Sequence, residues 1–200
     1  SADVHGIRLV TGVEISVTWH DKSLHIVGLD LDPESAPLRQ GLARIQAIRA
    51  ERAREMGRRL AKEGIPGAYE AAEALAGDGM ITRTHFARFI ARAGLAADVR
   101  DVFNRYLTRG KPGYVSTRWA DMGETIGWIR EAGGVAVLAH PQRYKLTHSW
   151  MRRMVAEFRE AGGAAIEVIS GTASPGEVQS TAEYARRHDL LASVGSDFHS

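Results

Sequence analysis

The sequence predicts an α/β protein in which a parallel sheet or barrel is covered by helices and interrupted by a helical insertion. Three observations predict it. After about residue 120 the chain repeats a helix, a short turn and a continuous apolar strand: residues 122–132 before VAVLAH, 149–161 before AAIEVIS, and 177–188 before LLASVGSD. Two Val/Ile-rich segments open the chain. Residues 35–120 carry helical periodicity and break the rhythm. The expected organisation is therefore a barrel portion of residues 1–34 and 121–200, with residues 35–120 as an inserted helical subdomain.

Residues 7–17 alternate apolar and polar side chains and read as a buried strand ending near Glu14. SLHIVGL, residues 23–29, reads as a second strand before the Asp32-Pro33 turn. The period then changes. Over residues 35–64, Leu38, Leu42, Ile45, Met56 and Leu60 fall mostly at steps of three and four, and Gly64 and Pro66 stop the helix. The arginines around them read as a solvated face. Shorter helices are predicted over 68–76, 84–93 and 98–108, the last N-capped by Asp98. RGKPGYVS, residues 109–116, is a Gly/Pro loop.

Composition narrows the chemistry. The 26 basic and 24 acidic side chains leave a net charge of only +2, which argues against a long duplex nucleic acid as partner. There is no cysteine, so any metal must be held by His, Asp and Glu. No apolar run approaches a membrane span and no signal-peptide pattern is visible, which makes the cytoplasm the expected compartment. Ser1 and the close of the chain at His199-Ser200 read as cuts through a larger domain.

In parallel α/β architectures, functional groups gather at the C-terminal ends of strands. Here those ends carry Glu14, His140, the Glu167 strand and the Asp197/His199 pair. Asp197 and His199, two apart in an extended segment, share a face, and a carboxylate beside an imidazole suits a divalent transition metal. His140 leaves an apolar strand just before Pro141. Glu14 interrupts an apolar strand, where a carboxylate needs a metal or an arginine as partner. His25, between Leu24 and Ile26, reads on its own as a core histidine. An anion at the start of the helix over 84–93 would meet free backbone N–H groups, Arg83 and His85. Lys111 and Arg143 are further phosphate contacts or ordinary surface charges. His5, His20, His148 and His188 read as surface residues.

GVEIS, LHIVGL, LAHPQRY and GSDFH, in this order, resemble motifs of the PHP (polymerase and histidinol phosphatase) family. ITRTHFARFI and RGKPGYVS narrow the resemblance to the bacterial branch that includes nucleoside 3′,5′-bisphosphate phosphatases, and the likeness spans the whole chain. It implies a distorted (β/α)7 barrel with a helical insertion and two to three divalent metal ions, manganese first, with zinc, iron or magnesium as alternatives. Glu14 resembles the family's bridging Glu, His25 and His140 resemble ligands, and Asp197 and His199 resemble the terminal D-x-H pair. The resemblance thus promotes His25 from core residue to ligand. It places His85 near the substrate phosphate and puts His85, His140 and Asp197 in the catalytic set. The family's opening H-x-H, a following Asp and a later His are not among these residues. The resemblance therefore implies about five of nine ligands here, with the opening β-α-β portion expected outside the sequence.

The expected activity is a metal-dependent phosphoester hydrolase. Metal would activate a water against phosphorus, with Arg83, His85, Lys111 and Arg143 offsetting phosphoryl charge. The resemblance implies removal of the 3′-phosphate from a nucleoside 3′,5′-bisphosphate, or 5′→3′ trimming of short 5′-phosphorylated RNA, with no membrane partner. A metal-dependent amidohydrolase is the alternative, weakened because no strand ends in a lysine able to serve as a carbamylated bridge. A barrel-like module without catalysis is the third reading.

Overall fold

The computed structural model describes residues 6, 8–171 and 173–198. The chain divides into two compact units, the first comprising Ser1–Leu42 with Arg118–Ser200 and the second Ala43–Thr117.

The first unit is built on a six-stranded sheet. Its strands are β1 (Gly12–Trp19), β2 (Lys22–Leu29), β3 (Ala120–Asp121), β4 (Val135–Leu138), β5 (Ala165–Ser170) and β6 (Leu191–Gly195), in the order β3-β1-β2-β4-β5-β6. The sheet is mixed rather than parallel, because β2 runs antiparallel to both β1 and β4. The reason is the connection: only His20 and Asp21 separate β1 from β2, and a two-residue turn can join only antiparallel strands. His20 takes the positive φ of 48° that such a turn demands. The other pairings, β1/β3, β4/β5 and β5/β6, are parallel, as the helix–strand rhythm predicts.

Alternation along β1 and β2 sorts side chains between the two faces. Ile15, Val17, Leu24 and Ile26 are fully buried, as are Ile126 and Ile129 of α5 (Met122–Glu131). Each such side chain contributes about 1.5–3 kcal/mol by leaving water. Glu14, Ser16 and His25 share the opposite face. The first strand therefore does not end near Glu14; that residue is the third of β1, which continues to Trp19. Helices α6 (His148–Glu160) and α7 (Pro175–Arg187) start at Thr147 and Ser174 N-caps, the latter in a capping box with Glu177.

Helix α1 (Ala36–Lys62) begins in the first unit and continues into the second. The second unit adds α2 (Ala68–Ala76), α3 (Arg83–Arg92) and α4 (Val99–Val102). Its core gathers Met56, Leu60, Phe86, Ile90, Val102 and Leu107. The helix expected over 98–108 begins as foreseen, with the Asp98 carboxylate accepting from Asp101 N at 2.7 Å. It then loosens into a π-helical turn over Phe103–Leu107, closed by Thr108 N donating to Phe103 O at 3.0 Å. Val102 and Leu107 are both fully buried. A five-residue step returns to nearly the same face in a π turn but not in an α-helix, which accounts for the change.

Candidate metal centre

Glu14 and His25 meet because register brings them together. Glu14 lies opposite Val27 and Ser16 opposite His25, so Glu14 and His25 are diagonal neighbours on one face of the hairpin. His25 Nδ1 stands 2.7 Å from Glu14 Oε1. Both side chains remain about one third exposed on a face that the apolar core does not fill.

His140 completes the group from β4. Ala139 N donates to His25 O at 3.1 Å, which continues the β2–β4 ladder one residue past the strand. Simple alternation would then send His140 to the other face. Instead its backbone turns to φ 29°, ψ 57°, and its ring comes back to the hairpin. Nε2 lies 3.2 Å from Glu14 Oε1 and 3.1 Å from His25 Nδ1. Glu167 on β5 holds this turn: its Oε2 accepts from His140 N at 2.7 Å. Gly195 on β6 leaves room for that carboxylate, since a Cβ there would stand 2.7 Å from Glu167 Oε1. The glycine of GSDFH is thus a spacing requirement.

Two more side chains frame the group. Asp197, in the left-handed region at φ 49° with its side chain only 5 % exposed, forms an ion pair with Arg143. Tyr144 Oη donates to Ala139 O at 3.0 Å and accepts from His25 N at 2.8 Å. A cleft of about 120 Å³ opens beside His140, lined by Gln142, Arg143, Glu167 and Thr181 among others.

The electrostatics are those of a carboxylate clasped by imidazoles. Hydrogen bonds with His140 and then His25 hold the Glu14 carboxyl far below the usual carboxylate range, against its partial burial. Burial works against the charged form of His140, but the Glu14 hydrogen bond and the charges of Glu14, Asp197 and Glu167 outweigh it and raise its pKa. Burial raises the Tyr144 hydroxyl above its ordinary range, so it stays a neutral donor.

These residues fit a metal ion. One ligand atom each from Glu14, His25 and His140 lie within 4.8 Å of one another. Donors bound to one ion at about 2.0–2.2 Å stand about 3–3.5 Å apart, the scale of the separations here. His140 Nε2 is the ring atom turned to the group, and its buried Nδ1 has no hydrogen-bond partner among the described residues. Of the predicted ligands, the structure brings Glu14, His25 and His140 together and places Asp197 on Arg143. His199 lies outside the described residues. Glu167 and Tyr144 are not foreseen as site residues from the sequence. Their only signal is position: a carboxylate in an apolar strand, and the tyrosine that closes LAHPQRY.

The remaining predicted residues belong to the second unit. His85 Nδ1 accepts from Thr82 N at 3.1 Å, which ties its ring to the first turn of α3. Arg49, Arg52, Thr82 and Arg83 line a small cleft at that helix start. Burial first, then the charges of Arg83 and Arg49, lower Arg52 to about 10. Lys111 sits exposed in the loop after the π turn.

Glu14, His25 and His140 thus form a group able to hold a metal ion on a mixed α/β sheet, and comparison with known proteins gives it a context. The chain is 47% identical over 195 residues to the 3′,5′-nucleoside bisphosphate phosphatase of Chromobacterium violaceum, covering 97% of this chain and 68% of that protein. It is 47% identical over 193 residues to the 5′-3′ exoribonuclease Rnm of Salmonella typhimurium, covering 96% of this chain and 66% of that one. A solved structure of an amidohydrolase from Chromobacterium violaceum, with bound sulfate and no metal, matches with TM-score 0.92 at 47% identity over 99% of this chain and 70% of that one. A protein of Bifidobacterium adolescentis assigned as a metal-dependent phosphoesterase matches with TM-score 0.85 at 28% identity, over 100% of this chain and 71% of that one. No family model matches. The chain belongs to the family of these bisphosphate phosphatases and Rnm exoribonucleases, the PHP branch that its motifs resemble. It spans about two thirds of the length of these relatives.

Proposed function

We propose that this chain carries part of the active site of a metal-dependent phosphoesterase acting on nucleotides. It would remove the 3′-phosphate from nucleoside 3′,5′-bisphosphates and trim short 5′-phosphorylated RNA in the 5′→3′ direction. The convergence of Glu14 with His25 and His140 carries the reading. Glu14, His25 and His140 would hold divalent metal, with Asp197 and His199 as further ligands, two or three ions in all and manganese foremost. Bound there, such a cation supplies Lewis-acid charge and lowers the pKa of a coordinated water.

The chain's own residues prepare that site. Glu14 stays ionised and presents one oxygen to both imidazoles. Glu167 holds the strained His140 backbone through its N–H. Arg143, beside the cleft, would meet a phosphoryl oxygen once Asp197 turns to metal, exchanging one anion for another. Arg83, His85 and Lys111 are assigned to substrate phosphate; for Arg83 the support is its place beside Arg49 and Arg52 in the cleft at the start of α3. Closure of the sheet into a (β/α)7 barrel, with residues 35–120 as its insertion, belongs to the same proposal.

The test uses the full-length enzyme, loaded with manganese. It is offered a nucleoside 3′,5′-bisphosphate, a 5′-phosphorylated oligoribonucleotide and, because one relative is named an amidohydrolase, a panel of amides. Release of phosphate or of 5′-mononucleotides is expected. Turnover of amides alone, or of nothing with metal bound, refutes the reading.

A further inference from the structure

The metal-centre residues leave one decorated surface of the first unit without a role, the start of α6. Trp150, in the first turn, is 38% exposed. Its ring meets Trp19, the last residue of β1, edge-on at 5.5 Å and His20 of the β1–β2 turn at 5.6 Å. Two cations attend it: Lys22 Nζ lies 5.9 Å from the ring centroid and Arg153 5.4 Å. On the neighbouring flank of the same helix, His148 and Arg152 line a groove of about 340 Å³ shared with Ser180 and Arg187 of α7.

A plain structural role explains part of this, since Trp150 shields Trp19, which is only 4% exposed. It does not explain the charges. A significant cation–π pair occurs roughly once per 70–80 residues, and here two cations share one exposed indole. Glu157 binds Arg153 and lies near His20, and Glu183 pairs with Arg187. Lys22 and Arg152 make no ion pair among the described residues, so the surface keeps a positive excess. An exposed aromatic ring flanked by cations, beside a basic groove, is the combination that binds single-stranded nucleic acid: bases stack and the backbone lies along the charges.

The groove is also connected to the metal centre. Gln142, which lines the cleft beside His140, donates to Thr181 Oγ1 at 2.8 Å. From Thr181, α7 continues to Tyr184 and Arg187 in the groove, a rise of about 9 Å at 1.5 Å per residue. His148 and Tyr184 close the contact between α6 and α7 at 3.2 Å.

We infer that Trp150, with Lys22 and Arg153, forms a base-stacking platform, and that Arg152 and Arg187 in the adjoining groove bind backbone phosphate of a single-stranded oligoribonucleotide whose scissile end occupies the metal centre. This subsite rests on the phosphoesterase reading and adds to it. It serves chains longer than a mononucleotide and is not used by a nucleoside bisphosphate.

The test compares two substrates on the manganese-loaded full-length enzyme: a 5′-phosphorylated pentaribonucleotide and a nucleoside 3′,5′-bisphosphate. Trp150→Ala and Arg152→Glu should each lower kcat/KM for the pentamer about fivefold or more, chiefly through KM, with the bisphosphate unchanged within about twofold. Trp150→Phe should restore pentamer turnover, and Arg152→Glu should flatten its salt dependence. Equal loss on both substrates, or no loss on the pentamer, overturns the subsite while leaving the phosphoesterase reading intact. An unmodified enzyme that cleaves the bisphosphate but never the pentamer overturns the subsite together with the RNA-trimming half of that reading.

Discussion

Replacing Gly195 with alanine should damage the metal centre from a position that is not a ligand. The added Cβ would stand 2.7 Å from Glu167 Oε1 and 3.5 Å from its Cδ. Restoring ordinary contact moves the carboxylate by about 0.7 Å. The Glu167–His140 N hydrogen bond, now 2.7 Å, is then stretched to its limit. A hydrogen bond to a charged partner is worth about 1.5–3 kcal/mol. Gly195 is not in the left-handed region, so alanine recovers about 0.4–1 kcal/mol of unfolded-chain entropy. The net cost is about 1–2 kcal/mol, or a Tm lower by about 2–8 °C for a chain of this size. Thermal unfolding followed by circular dichroism measures it, and a double-mutant cycle with Glu167→Ala isolates the cause. In the Glu167→Ala background the alanine should cost nothing or stabilise slightly. An equal loss in both backgrounds would refute the argument that Glu167 is the group displaced.

Three further outcomes follow from the same geometry. Glu14→Gln should abolish stoichiometric metal binding, read by metal analysis after dialysis, and lower full-length activity by about 100-fold or more, beyond what outer-shell changes cost. Without metal, the raised His140 pKa contributes stability that is complete below its ordinary value of 6.5 and is lost as pH rises through the raised value. The depressed Glu14 pKa contributes stability that is present above 4.5 and lost as pH falls towards its lowered value. The stability gap between the metal-free protein and its Glu14→Gln variant should therefore peak between those two pH values and narrow in alkali; a gap that keeps widening above pH 7 would contradict the pairing. Asp98→Ala should cost about 1 kcal/mol through loss of the α4 cap, with metal affinity unmoved in a calorimetric titration.

Much of the scaffold was legible because its signals are local. Leu38, Leu42, Ile45 and Leu60 announce α1 by spacing alone, and Asp98 announces its cap. The Gly-Gly junctions before β4 and β5 place both strands correctly. The direction of β2 was not legible, because the His20-Asp21 turn lacks the glycine that marks most tight hairpins. The same blind spot misplaced Glu14 at a strand end, whereas its position depends on register across β1 and β2. His25 looked like a core residue until the motif resemblance promoted it, since alternation alone does not tell which face of a sheet meets the core. The φ of His140 depends on Glu167, a residue far along the chain, and no local pattern encodes that support.

The tyrosine that closes LAHPQRY has a mechanical consequence for the sheet. In an antiparallel ladder, His25 and Ala139 would exchange two direct backbone bonds. Only one is direct, from Ala139 N to His25 O; on the other side the Tyr144 hydroxyl takes the His25 N–H and passes its own hydrogen to Ala139 O. A phenol oxygen thus serves as one rung between His25 and Ala139, beside the direct backbone bond of the same row. Phenylalanine at this position would remove that rung, leaving the His25 N–H and the Ala139 carbonyl to pair directly or to go unpaired. The β2–β4 ladder is therefore closed, at the row of His25, by a side chain as well as by backbone.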